Sequence, residues 1–244
     1  VVGTQAFTFD VPSGTRMTGS FYSRFRVFTS EPLIDELAYK GAAVDGEVED
    51  HKLTFQLDYG DAPDSYGTLY QPAAVSPGDG ARHFVPATPQ LYLGETLPTF
   101  EDDAKSPGAL ADGDGAEEDG LVRFTSSEDS ADPTQIIAVA VVQYTNSGGA
   151  QAQLVGWIDF NGDGDFADAN ERSLPQFDQL YDCYTESETC TDVSSSHAGS
   201  TDATFTTGNI PAALNHGTAV LKWVVPKTEL ANSTTNFSSY IRLR

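Results

Sequence analysis

Residues 153–171 read Gln-Leu-Val-Gly-Trp-Ile-Asp-Phe-Asn-Gly-Asp-Gly-Asp-Phe-Ala-Asp-Ala-Asn-Glu. The first six residues have the apolar, aromatic and β-branched character of a strand. Asp159, Asn161 and Asp163 then sit two apart, followed by Gly164 and Asp165. This is the opening of a D-x-[DN]-x-[DN]-G calcium loop. Calcium takes roughly six to eight oxygens at flexible geometry, and short carboxylate and amide side chains supply them when a loop winds tightly. Gly162 and Gly164 permit that winding, because glycine tolerates positive φ. The flanks depart from an EF-hand. Position 12 is Asn170 rather than glutamate, and the acidic residue, Glu171, comes one later. The stretch predicts a strand that ends in a calcium loop, with Asp159, Asn161, Asp163, Asp165 and Glu171 as ligands. The alternative is a solvated acidic turn, which gives no reason for so many carboxylates at this spacing.

Outside the loop the chain is also acidic. It has 244 residues, 13 basic and 36 acidic, with a formal net charge of −23. Nucleic acid is excluded as a partner, since phosphate contacts need a basic surface. Such a charge opposes a compact state unless counter-ions neutralise it. Many aspartates sit beside glycines, which points to several bound calcium ions. No stretch has the roughly 18 apolar residues of a membrane span, so membrane insertion is not expected. No signal peptide opens the sequence, which reads as mature or excised from something longer.

Alternation at period two marks half-buried strands at 4–11, 21–28 and 53–57. An almost continuous apolar run covers 134–145, and Ser147-Gly148-Gly149 is expected to turn it into the Trp157 strand. Further strands are expected at 204–205, 218–225 and 240–243. Residues 71–100 are rich in Pro and Gly and show little periodicity. No helical pattern of useful length occurs. The class is all-β: a calcium-stabilised β-sandwich with long acidic loops.

Three more acidic segments are candidate metal sites. Asp58, Asp61 and Asp64 are three apart in a turn-rich stretch; Asp112, Asp114, Glu117 and Asp119 repeat the Asp-Gly spacing of the first loop; Glu49 lies in Gly46-Glu47-Val48-Glu49-Asp50. Each run has a plainer reading as a solvated surface. The two cysteines, Cys183 and Cys190, close a short loop if they form a disulfide, as an extracellular protein allows. The alternative is two unrelated thiols. Tyr181, Asp182 and Tyr184 beside Cys183 are candidate ligand contacts, as is Arg82, because tyrosines offer large rigid contact area. The alternative is that the tyrosines pack the excursion onto the sandwich.

The sequence also echoes itself. Val11-Pro12, Gly14-Thr15 and Ser23–Val27 near the start resemble Ile210-Pro211, Gly217-Thr218 and Ser239–Leu243 near the end. The chain therefore reads as cut from a tandem array or permuted within one domain.

Gly46–Asp50 (GEVED), Asp58–Thr68 (DYGDAPDSYGT) and Gly156–Glu171 together resemble the GEVED-type modules of large bacterial surface proteins, including RTX adhesins. Residues 1–57 resemble the closing half of one such repeat, and 58–244 the part that follows. GEVED precedes the DYGDAP stretch here, and no second copy follows the last arginine strand. The resemblance implies an extracellular, calcium-dependent module at a bacterial cell surface, within one domain spanning 1–244. Its expected ligand is a peptide or protein on a host or substrate cell, or else a glycan. A calcium-stiffened spacer and a carbohydrate-binding module are the alternatives. No H-E-x-x-H or G-x-S-x-G motif occurs, and the four histidines have no triad spacing, so no enzymatic activity is expected.

Overall fold

A computed structural model describes residues 20–29, 39–42, 45–54, 56–69, 80–100, 111, 120–184, 191, 193, 208–230 and 239–244. It is an all-β structure with antiparallel sheets throughout. Among the described residues, helix is confined to two short 3-10 turns, Asp64–Tyr66 and Lys227–Glu229. No described helix is long and apolar enough to cross a membrane.

Thirteen strands are described: β1 (Ser20–Val27), β2 (Glu47–Thr54), β3 (Leu57–Tyr59), β4 (Arg82–Phe84), β5 (Leu91–Leu93), β6 (Leu121–Glu128), β7 (Gln135–Asn146), β8 (Ala152–Leu154), β9 (Gly156–Ile158), β10 (Gln179–Tyr181), β11 (Gly208–Ile210), β12 (His216–Pro226) and β13 (Ile241–Leu243). The apolar run predicted at 134–145 is β7, the centre of a five-stranded sheet. β12 pairs with it along its whole length, from His216 opposite Thr145 to Pro226 opposite Gln135. β6 and β5 share its other edge, and β10 extends the sheet beyond β12.

One face of this sheet carries Ala138, Ala140, Val142 and Tyr144 of β7 with Ala219, Leu221, Trp223 and Val225 of β12. They form one cluster with Ala152 and Leu154 of β8, Ile158 of β9 and Ile210 of β11. The arrangement fits the expected sandwich, with the small β8–β11 and β9–β13 pairs facing the large sheet.

Several expectations are corrected. β7 does not form a hairpin with the Trp157 strand, because both its edges are already taken. The 153–158 run is two strands, not one. At Val155 the backbone exchanges hydrogen bonds with Arg244, at 2.8 and 2.9 Å, and the partner changes from β11 to β13. The 53–57 strand is replaced by β2, which contains the GEVED residues, and by β3. The stretch without periodicity at 71–100 holds β4 and β5, both set by pairing to longer-range partners. The expected strands at 4–11 and 204–205 lie outside the described residues.

β1 and β2 form a two-stranded sheet of their own, in register from Ser20–Thr54 to Val27–Glu47. Tyr22 is 76% exposed, Val27 63% and Val48 54%, so the ribbon buries little apolar surface. A lone hairpin is at best marginally stable in water. Native-state hydrogen exchange should therefore show β1 and β2 amides opening at lower free energy than those of β7 and β12. Equal protection in the two regions would refute this separation.

Candidate functional site

The strand β9 delivers the chain into the acidic loop, and its first residue fixes how closely it can approach the core. A Cβ at Gly156 would lie 2.9 Å from the Trp223 ring and 3.1 Å from Leu243. Trp223 is fully buried, and its indole N–H donates to the Glu171 carbonyl at 2.8 Å. The Ile158 amide donates to the same carbonyl, also at 2.8 Å. Both ends of the loop are thereby tied to the β12 core residue.

Between these ties the loop winds on itself. Gly162 and Gly164 adopt φ of 75° and 93°, a region that other residues enter only with strain. Asp159 is 1% exposed. Its Oδ1 accepts from the Gly162 amide at 2.5 Å, and its Oδ2 accepts from the Gly164 amide at 3.0 Å. The Tyr66 hydroxyl donates to the same Oδ2 at 2.7 Å. Burial and this bond to a carboxylate raise the Tyr66 pKa, so the phenol stays a donor. Asn161 accepts from the Asp163 amide at 2.9 Å and donates to the carboxylates of Asp163 and Asp168.

Glu171 is 2% exposed. Its Oε2 accepts from the Asp168 amide at 3.1 Å, whereas its buried Oε1 has no hydrogen-bond partner. Asp159, Asp163 and Glu171 each bring a carboxylate oxygen within 4.8 Å of the others. Burial is the main force pushing the Glu171 carboxyl up to about 7, and Asp159, Asp168 and Asp163 add to it against the Asp168 amide. At about 4 Å two like charges near a surface repel by roughly 4 kcal/mol. The cluster therefore calls for a cation or a proton. Three carboxylates with a neighbouring amide and a fourth carboxylate are the all-oxygen donor set of a hard divalent cation. A cleft of about 290 Å³ opens beside it, lined by Phe160, Asn161, Asp168, Ala169, Asn170, Glu171 and Glu229.

Residues 153–241 match the GEVED domain family. No curated protein and no solved structure matches the chain. The matched GEVED segment runs from β8 to the start of β13, so it contains the whole acidic loop and the β12 tryptophan. The Gly46–Asp50 and Asp58–Thr68 motifs lie before it.

The other predicted site residues separate into groups. Asp165 does not join the cluster; its carboxylate accepts from the Ala167 amide at 2.8 Å and shapes the turn. Asp58 lies on β3 opposite His83, Asp61 is buried, and Asp64 opens the 3-10 turn. Among the described residues, the acidic group close enough to hold a metal is Asp159, Asp163 and Glu171. Glu49 is beside His51 at 3.0 Å on the β1–β2 ribbon. Asp112, Asp114, Glu117 and Asp119 lie outside the described residues.

Cys183 is disulfide-bonded, and the chain's one other cysteine, Cys190, lies outside the described residues. Tyr184 places its hydroxyl 2.7 Å from Thr145 Oγ1 and its ring 4.8 Å from His216, which packs it onto the sheet. Tyr181 belongs to β10, and Asp182 accepts from the Thr191 amide at 3.0 Å. Arg82 is on β4, with its guanidinium on the Gly80 carbonyl, so it does not share a sheet with these three.

Sequence reasoning missed Tyr66, Asp168, Trp223 and Arg242, whose guanidinium donates to the Tyr66 carbonyl. Asp168 lies inside the loop and was open to inspection. The other three act across long sequence separations and leave no local pattern.

Gly156→Ala should cost about 1–3 kcal/mol, the usual range for forcing a methyl into a packed core. Urea unfolding checks this, and a wild-type midpoint would mean that Trp223 moves aside freely.

Proposed function

We propose that the chain is a calcium-dependent ligand-binding module of a bacterial surface adhesin. Asp159, Asp163 and Glu171 would hold the ion, with Asn161 and Asp168 at its margin. The observation that carries this reading is the buried Glu171 carboxylate, whose unpartnered oxygen shares a 4.8 Å cluster with two further carboxylates. An isolated buried charge is too costly to keep without a partner. Calcium supplies that partner in an extracellular setting, and the net charge of −23 favours its uptake.

The ligand is proposed to be an extracellular peptide or protein, on the strength of the GEVED resemblance. A bound ion with an open position takes a carboxylate or vicinal hydroxyls, and the cleft beside the cluster gives such a group a path. The reading is of a binding module, not an enzyme. A screen of peptide and glycan libraries, with calcium and with chelator, tests the ligand class. Binding that persists in chelator would refute the calcium dependence.

Ion binding to the native state alone adds about 2.7 kcal/mol at a hundredfold excess over Kd. For a domain of this size that corresponds to a rise in Tm of about 5–10 °C. Thermal melts in calcium and in EDTA, beside metal analysis, should show this difference. Asp163→Ala should abolish most of it, and Asp165→Ala should leave most of it intact. Superimposable melts with no metal bound would overturn the assignment.

A further inference from the structure

We propose that Tyr66 is a positioning residue for the ion site, and that the clamp built on it couples ion occupancy to the docking of β13. The proposal rests on the calcium reading of the Asp159 cluster. Tyr66 belongs to the 57–69 segment, remote in sequence from the loop, yet its hydroxyl holds Asp159 Oδ2 at 2.7 Å. The two loop amides and this phenol together fix the carboxylate's rotamer, so the remaining lone pair, on Oδ1, is aimed in advance. Partners of this kind orient a metal ligand, and their loss typically lowers metal affinity by about 10–100-fold.

The phenol is itself fixed from two sides. Its ring lies 4.7 Å from Phe166 of the acidic loop and 5.0 Å from Tyr240, just before β13. Arg242 of β13 donates to the Tyr66 carbonyl at 2.9 Å and to the buried Thr68 hydroxyl at 3.1 Å. The same guanidinium stands 4.9 Å from the Phe166 ring centre. The Ser239 hydroxyl donates to the Asp159 carbonyl. The loop, the 57–69 segment and the closing strand thus meet through one arginine and three aromatic rings. Whatever steadies Asp159 and Phe166 also steadies the seat of Arg242.

The test is a calcium titration of the full chain by calorimetry, with Tm in chelator and hydrogen exchange of residues 241–243 measured in parallel. Tyr66→Phe keeps the ring and removes only the hydroxyl. It should raise the calcium Kd about tenfold or more, with the Tm in chelator nearly unchanged. Calcium should slow exchange in β13 of the wild type, and less so in Tyr66→Phe. Arg242→Lys keeps the charge and loses the fork, so it should reduce the calcium-induced protection of β13. An unchanged Kd in Tyr66→Phe with a lower Tm in chelator would show that Tyr66 only packs, and would overturn the positioning role. Undiminished protection in Arg242→Lys would overturn the coupling. A wild-type chain that takes up no calcium would overturn the site itself, an outcome distinct from the other two.

Discussion

Three carboxylates held within 4.8 Å, two of them buried, set the terms for the rest of this module. Left alone they repel, and burial removes the water that would screen them. The surrounding structure relieves this only in part, and it holds the groups where they are. Backbone amides of Gly162 and Gly164 fix Asp159, and the Asp168 amide fixes one oxygen of Glu171. The Trp223 indole and the Ile158 amide hold the Glu171 carbonyl from the core side. A fold that only needed a surface turn would let these side chains swing into solvent. Here they are held inward, and this is the physical ground for the proposed seat of a positive charge.

The core explains why the seat is rigid. β7 and β12 pair over eleven consecutive positions, and their inward residues are among the most buried in the molecule. Trp223 stands at the junction, with one edge against Gly156 and its N–H on Glu171. The acidic loop is therefore bolted to the most regular part of the sheet. The β3–β4 ribbon reaches the same place by another route, through Arg244 beside His83 and Arg242 beneath the 57–69 segment.

How much of this was legible depended on range. β7 and β12 announce themselves, because a long central strand with one face buried and the other partly covered reads as a nearly continuous apolar run. The acidic loop was legible because its clustered carboxylates lie close in sequence, from Asp159 to Glu171, and Glu171 was singled out at its displaced position. β6 was not legible: Arg123 to Glu128 is exposed and, apart from Phe124, polar, and becomes a strand by pairing with β7. β4 and β5, at three residues each, carry no periodicity to detect. Tyr66 and Arg242 were beyond local reasoning. Their contacts span 93 residues to Asp159 and 176 to Tyr66. Asp58, Asp61 and Asp64, read from their regular spacing in a turn, fall on a strand, a buried loop position and the start of a 3-10 turn.

The most recognisable motif also has the least chemistry. Gly46–Asp50 lies on the exposed β1–β2 ribbon, where Asp50 takes a two-pronged contact from Arg24, both distances 2.6 Å. The hydrogen bond to Arg24 holds the Asp50 carboxyl below its ordinary range. Exposed pairs of this kind contribute little to stability. Their value is in register: Arg24 opposite Asp50 fixes Arg26 opposite Val48, and a slip of one residue would reverse every side chain of the strand. The GEVED residues thus read as a pairing code for a ribbon, while the carboxylate cluster lies in the separate loop from Asp159 to Glu171. A sequence signature and a carboxylate cluster can lie on the same chain without sharing an atom, and here the pairing strand and the cluster are built by different residues.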